Sequence, residues 1–96
     1  MGKVGLETIA FGLAKEELAN NIRVNVVAPG IVDTDMGRRL VKATMGVDDI
    51  RSLDSDFPFG HVCRPEDVAN VVRYLVSEQN SYVTGERIYV DGLATA

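Results

Sequence analysis

The stretch best placed to hold a ligand is residues 29–34, the turn that follows the β-branched run of residues 22–28. At Pro29-Gly30 the run stops pairing and turns. In an open parallel sheet ligands sit beyond the carboxyl ends of the strands, so residues 29–34 lie where a ligand is expected. Other chemistry-bearing residues are sparser. Asp48, Asp49, Asp54 and Asp56 lack the alternating ligand positions, central glycine and terminal glutamate of a calcium loop, and read as a solvated acidic segment. His61 and Cys63 are too few for zinc, so no metal site is assigned. Cys63 reads as a small turn residue, and Lys3, near a helix start, reads by itself as a solvated charge.

The elements that must position this turn follow from periodicity. Residues 2–20 carry a helical pattern, with Val4, Phe11 and Leu18 on one stripe and Leu6, Ile9, Ala10 and Leu13 on a second. Such a helix is buried on two sides, either deep inside one domain or between the sheet and a partner. Asn20-Asn21 closes it, because asparagine tolerates the left-handed conformation. Residues 22–28 then read as a strand covered on both faces, with Asn25 bridging the backbone of a neighbouring loop.

Met36, Leu40, Val41 and Met45 fall at helical spacing before Gly46, and the acidic stretch after it breaks the pattern. Residues 36–57 are therefore expected to be a short helix and a mobile excursion, serving either as a lid or as an ordinary surface insertion. Pro65 with Glu66 and Asp67 starts a well-signalled helix, whose face carries Val68, Val71, Val72, Leu75 and Val76. Residues 86–90 form the closing strand. Strand, crossover helix and strand make a parallel unit.

Bulk properties narrow the partners. A 96-residue chain with net charge −4 and no basic stripe argues against nucleic acid or a polybasic membrane surface. No apolar run approaches the roughly 20 residues that span a bilayer. One cysteine cannot form an internal disulfide, which fits a cytoplasmic setting. Two strands that are apolar on both faces ask for more neighbours than about three helices supply.

Taken with their order, four segments resemble the short-chain dehydrogenase/reductase family. Lys3-Val4-Gly5-Leu6-Glu7 is similar to the lysine of its Tyr-x-x-x-Lys motif and the helix that carries it. Residues 22–25 and then 29–36 resemble its strand and nicotinamide loop. Pro65-Glu66-Asp67-Val68-Ala69, with Thr84-Gly85 through Val90-Asp91-Gly92, resembles its last helix and strand. The resemblance implies an α/β fold, the C-terminal part of a Rossmann-type doubly wound parallel sheet, with two parallel strands and about three helices, incomplete on its own. Residues 1–96 would be the C-terminal segment of one NAD(P)-binding domain whose N-terminal half is absent.

The same resemblance implies NAD or NADP as cofactor and a small alcohol or carbonyl compound as substrate. Lys3 would be catalytic, bonding the nicotinamide ribose and lowering the pKa of a tyrosine four residues before it, ahead of Met1. Pro29, Gly30, Ile31 and Val32 would line the nicotinamide, with the Val32 backbone on the carboxamide and the Thr34 hydroxyl near the carboxamide or pyrophosphate. The Gly-rich phosphate loop and the catalytic serine have no counterpart here, and Leu93 stands where a second glycine often follows Asp91-Gly92. The chain by itself is then expected to be inactive, its parent a homo-oligomer, dimer or tetramer. The alternative is a non-catalytic assembly module that uses the family's oligomerisation surfaces.

Overall fold

A computed structural model describes residues 3–93, and for residues 3–5 the backbone alone. Helix α1 (Lys3–Glu17) continues into a 3₁₀ turn (Leu18–Asn20), followed by β1 (Val26–Pro29), α2 (Asp35–Met45), 3₁₀ stretches at Ile50–Asp56 and Pro58–Gly60, α3 (Pro65–Val76) and β2 (Arg87–Val90). Val26 N–H donates to Glu86 O at 2.9 Å and Gly30 N–H to Val90 O at 3.3 Å. The register advances equally along both strands, which marks a parallel pair. The expected α/β fold with two parallel strands is present.

The chain forms two compact units, Met1–Ala28 with Val71–Ile88, and Pro29–Asn70 with Tyr89–Ala96. In the first, Ala10 and Ala14 give α1 its buried stripe. Asn21 ends the helix in the left-handed region at φ 59°, its N–H donating to Leu18 O, as the asparagine pair predicts. Gly85, at φ +74°, packs so closely that a Cβ would meet Phe11 at 3.4 Å.

The strand expected over residues 22–28 begins only at Val26. Side chains replace the ladder before it. Val24 N–H donates to the Thr84 hydroxyl at 3.0 Å, while the Asn25 side chain donates to Val83 O and accepts from Glu86 N–H. Asn25 thus bridges a neighbouring loop, as expected. Arg23 caps the carbonyls of Leu75 and Ser77. Asn80, 1% exposed, donates to Leu75 O and Val83 O and accepts from Tyr82 and Val83 N–H, so the turn before β2 folds around one amide. Of the apolar stripe on α3, Leu75 is buried, whereas Val72 and Val76 remain exposed.

The second unit is built on Val41, Ile50 and Val62, with Ile31, Val47, Leu53 and Phe57 packed around them. Gly46 at φ 68° ends α2 through its N–H to Lys42 O, as its place in the sequence suggests. The unpatterned excursion expected after it is a packed 3₁₀ helix. A three-residue repeat turns Ile50 and Leu53 to one side. The acids around them are structural: Asp49 accepts from Arg51 N–H at 3.1 Å, and Asp54 accepts from Val62 N–H at 2.9 Å and from Arg64 at 3.2 Å.

Candidate ligand loop and cavity

Where β1 ends, the chain stays close to the residues after β2. A Cβ on Gly30 would lie 3.1 Å from the Asp91 Cβ, so this position favours glycine for a reason of packing. Ile31 turns into the core of its unit. Val32 then forms a parallel bridge with Cys63. The flanking groups make that bridge, Asp33 N–H donating to Cys63 O at 2.8 Å. Val32's own N–H therefore faces the other edge of the loop, where no group among the described residues accepts it. Its carbonyl accepts from Thr34 N–H at 2.8 Å and from the Thr34 hydroxyl at 3.4 Å.

Thr34 is the N-cap of α2, its Oγ1 accepting from Gly37 N–H at 3.1 Å. The hydroxyl expected near a ligand is thus also the one that starts the helix. Gly37 sits directly against the loop, and any Cβ there would overlap the Val32 carbonyl.

Asp33 holds the loop from beneath. Only 6% exposed, its carboxylate accepts from Arg38 Nε on α2 at 2.9 Å and from Arg51 Nε on the 3₁₀ helix at 3.2 Å. The Arg38 hydrogen bond lowers its pKa from the usual carboxylate value; burial opposes this, and Arg51 adds to the lowering. A carboxylate with a depressed folded pKa stabilises fully above its unfolded value, and that stability is lost as pH falls through the folded one. Because both arginines are more than half exposed, Asp33→Asn is expected to cost only about 1–2 kcal/mol near neutral pH. The gap between variant and wild type should close below roughly pH 4 in urea melts. A constant gap across that range would assign the loss to shape instead of charge.

In the same unit a cavity of about 490 Å³ opens beside Gly30 and Ile31. Phe57, Pro58, Phe59 and Val90 make its apolar walls, and His61, Asp67, Tyr89 and Asp91 its polar ones. Cys63 also lines it; burial pushes its thiol pKa up, and the Asp67 carboxylate adds to the effect. Among the described residues no cluster of His, Cys, Asp or Glu is arranged to hold a metal ion, and no helix is long and apolar enough to cross a membrane.

Over residues 1–93 the chain matches the family model described as enoyl-(acyl carrier protein) reductase. The chain belongs to the short-chain dehydrogenase/reductase family. It is 45% identical over 92 residues to a 3alpha-hydroxysteroid dehydrogenase of Mediterraneibacter gnavus, covering 96% of this chain and 35% of that protein. With the 3-oxoacyl-[acyl-carrier-protein] reductase FabG of Aquifex aeolicus it shares 42% identity over 90 residues, which is 94% of this chain and 34% of that protein. Among solved structures, YwfH, an NADPH-dependent reductase involved in bacilysin biosynthesis, superposes with a TM-score of 0.80 at 28% identity, over 93% of this chain and 36% of that one. The chain spans about a third of the length of the curated relatives it matches.

In this short-chain dehydrogenase/reductase chain, Gly30 and Ile31 reach the cavity, while Pro29, Val32 and Thr34 are not part of its wall. Lys3 begins α1, and its side chain lies outside the described residues. Sequence reasoning missed Asp33 and Gly37. Arg38, one turn along α2, was a signal for Asp33, but nothing in the chain order points to Arg51.

Proposed function

We propose that this chain is the C-terminal segment of a single Rossmann-type, NAD(P)-binding domain in an oxidoreductase acting on alcohols and carbonyls. The observation that carries the reading is the Val32 N–H, turned away from its bridge and without an acceptor among the described residues, beside a glycine at the carboxyl end of a parallel strand. A carboxamide oxygen matches that donor. The names of the relatives, dehydrogenase and reductase, support the same class. When bound, the reduced cofactor NADH or NADPH would supply a hydride to a carbonyl, and the oxidised form would accept one from an alcohol.

In this reading Pro29, Gly30, Ile31 and Val32 line the nicotinamide, and Thr34 sets the loop's exit by capping α2. Lys3 bonds the ribose hydroxyls and holds a tyrosine hydroxyl near ionisation. The chain alone lacks that tyrosine and does not turn over. In this reading the parent enzyme is a cytoplasmic homo-oligomer, dimer or tetramer. The test is the genomic sequence preceding the Met1 codon: an in-frame tyrosine two residues ahead is expected, and a stop codon or any other residue there removes the proposed acid-base partner.

A second reading, an assembly module without activity, is favoured by α1, on which Leu6, Ile9, Phe11 and Leu13 are each about half exposed. Sedimentation of the 96-residue chain separates the two. Self-association lost in Phe11→Ser supports the module, and a monomer at all concentrations argues against it.

A further inference from the structure

We infer that Asp33 is a positioning residue for the nicotinamide carboxamide: clamped between Arg38 and Arg51, its carboxylate fixes the direction in which the neighbouring Val32 N–H points. The inference rests on the nicotinamide reading of the loop proposed above, and adds to it the side chains that aim the donor.

Asp33 is anchored through both its backbone and its side chain. Its N–H donates to Cys63 O at 2.8 Å, while one carboxylate oxygen accepts from Arg38 Nε at 2.9 Å and the other from Arg51 Nε at 3.2 Å. Ile31, on the other side of Val32, is packed against the core of Val41, Ile50 and Val62. Val32 therefore lies between two fixed neighbours, and its carbonyl is held as well, by Thr34 N–H at 2.8 Å. With only two soft dihedrals per residue, such pinning sets the direction of its N–H.

The clamp closes a ring of contacts. Arg51 shares the 3₁₀ helix Ile50–Asp56 with Asp54, which accepts from Val62 N–H at 2.9 Å and from the Arg64 guanidinium at 3.2 Å. Cys63, between those two residues, accepts Asp33 N–H and so returns to the start. Every member belongs to one compact unit, so the ring is complete within the chain and needs no neighbour from elsewhere.

Stability alone does not account for this arrangement. Taking a carboxylate out of water costs free energy that its partners roughly offset, and an apolar residue of similar size often serves a core as well. What a doubly bridged carboxylate adds is geometry. Two directional, charge-assisted hydrogen bonds tie α2 and the 3₁₀ helix to the same point of the loop. Neither arginine lines the cavity beside Gly30, so their effect on a ligand passes through the loop.

The test is calorimetric titration of the parent protein with NADH or NADPH, whichever binds more tightly, and with the matching ADP-ribose or its 2′-phosphate, which lack the nicotinamide. Asp33→Asn should weaken the dinucleotide roughly tenfold, the order of one lost hydrogen bond, and leave the ADP-ribose compound within about twofold. Arg51→Met keeps the stem and loses the donors, and should weaken the dinucleotide alone by roughly three- to fivefold, since one of two bridges is lost. Arg51→Lys, which keeps the charge, should recover most of that loss. The double variant should bind no more weakly than Asp33→Asn, because one residue acts through the other. Retained binding of the ADP-ribose compound shows that the variants are folded. Equal weakening of both ligands, additive losses in the double variant, or a dinucleotide affinity unchanged by either substitution overturns the clamp and leaves the nicotinamide reading standing. An unaltered protein that binds the ADP-ribose compound as tightly as the dinucleotide, or binds neither, overturns that reading and the clamp with it.

Discussion

On the proposed reading, Lys3→Ala in a parent protein that carries a tyrosine four residues earlier is expected to lower kcat by roughly 10²–10⁴-fold, the range that a positioned acid-base apparatus contributes. The cause is electrostatic. An ammonium beside a phenol favours the phenolate and pulls the phenol pKa down from about 10. Without it that pKa rises again, so the residual rate should climb with pH where the unaltered enzyme has already levelled off. The cofactor KM should also rise, because the same side chain is assigned the ribose hydroxyls. Lys3→Arg keeps the charge but presents a planar fork in place of a point, and intermediate activity with the original pH profile is expected. A variant with alanine that keeps both its rate and its pH profile would leave Lys3 as a solvated charge at a helix start.

Gly37→Ala is expected to destabilise the chain by about 1–3 kcal/mol or more, the cost of forcing a methyl group into filled space. The added Cβ would overlap the Val32 carbonyl and press on the Thr34 hydroxyl at 3.4 Å. Neither is the free end of a flexible chain. Relief requires α2 to move off the loop, which breaks the Thr34 cap and displaces the backbone proposed to hold the carboxamide. Gly12 supplies the control. It lies in α1, and no atom stands within 4 Å of the place a Cβ would take, so the same substitution there should stabilise by roughly 1 kcal/mol, as alanine does over glycine in a helix. Chemical melts of the two variants should move in opposite directions, and equal shifts would refute the packing account.

Elements announced by local chemistry were legible in the sequence. Pro65 opens α3, and Asp67 returns its carboxylate to Arg64 N–H, as acids in a first turn do. Asn21 and Gly46 close their helices in the left-handed region. What stayed hidden depends on residues distant in the chain. The strand starts late because Val24 and Asn25 find Thr84, Val83 and Glu86 as partners, which no pattern within residues 22–28 encodes. A lone Ile50 among acids shows no helical period, yet it joins Val41 and Val62 in the core. The position of the turn at Pro29-Gly30 was legible, whereas the support from Asp33 needed an arginine eighteen residues on.

The subdued thiol of Cys63 has a practical consequence. With its ionisation pushed up, it offers little thiolate at neutral pH and should alkylate slowly. A second cysteine in place of Tyr82, a side chain 95% exposed, would react first. A fluorophore or spin label can therefore be attached at that turn by brief maleimide treatment while the native sulfur is left in place, giving distance measurements without a cysteine-free background.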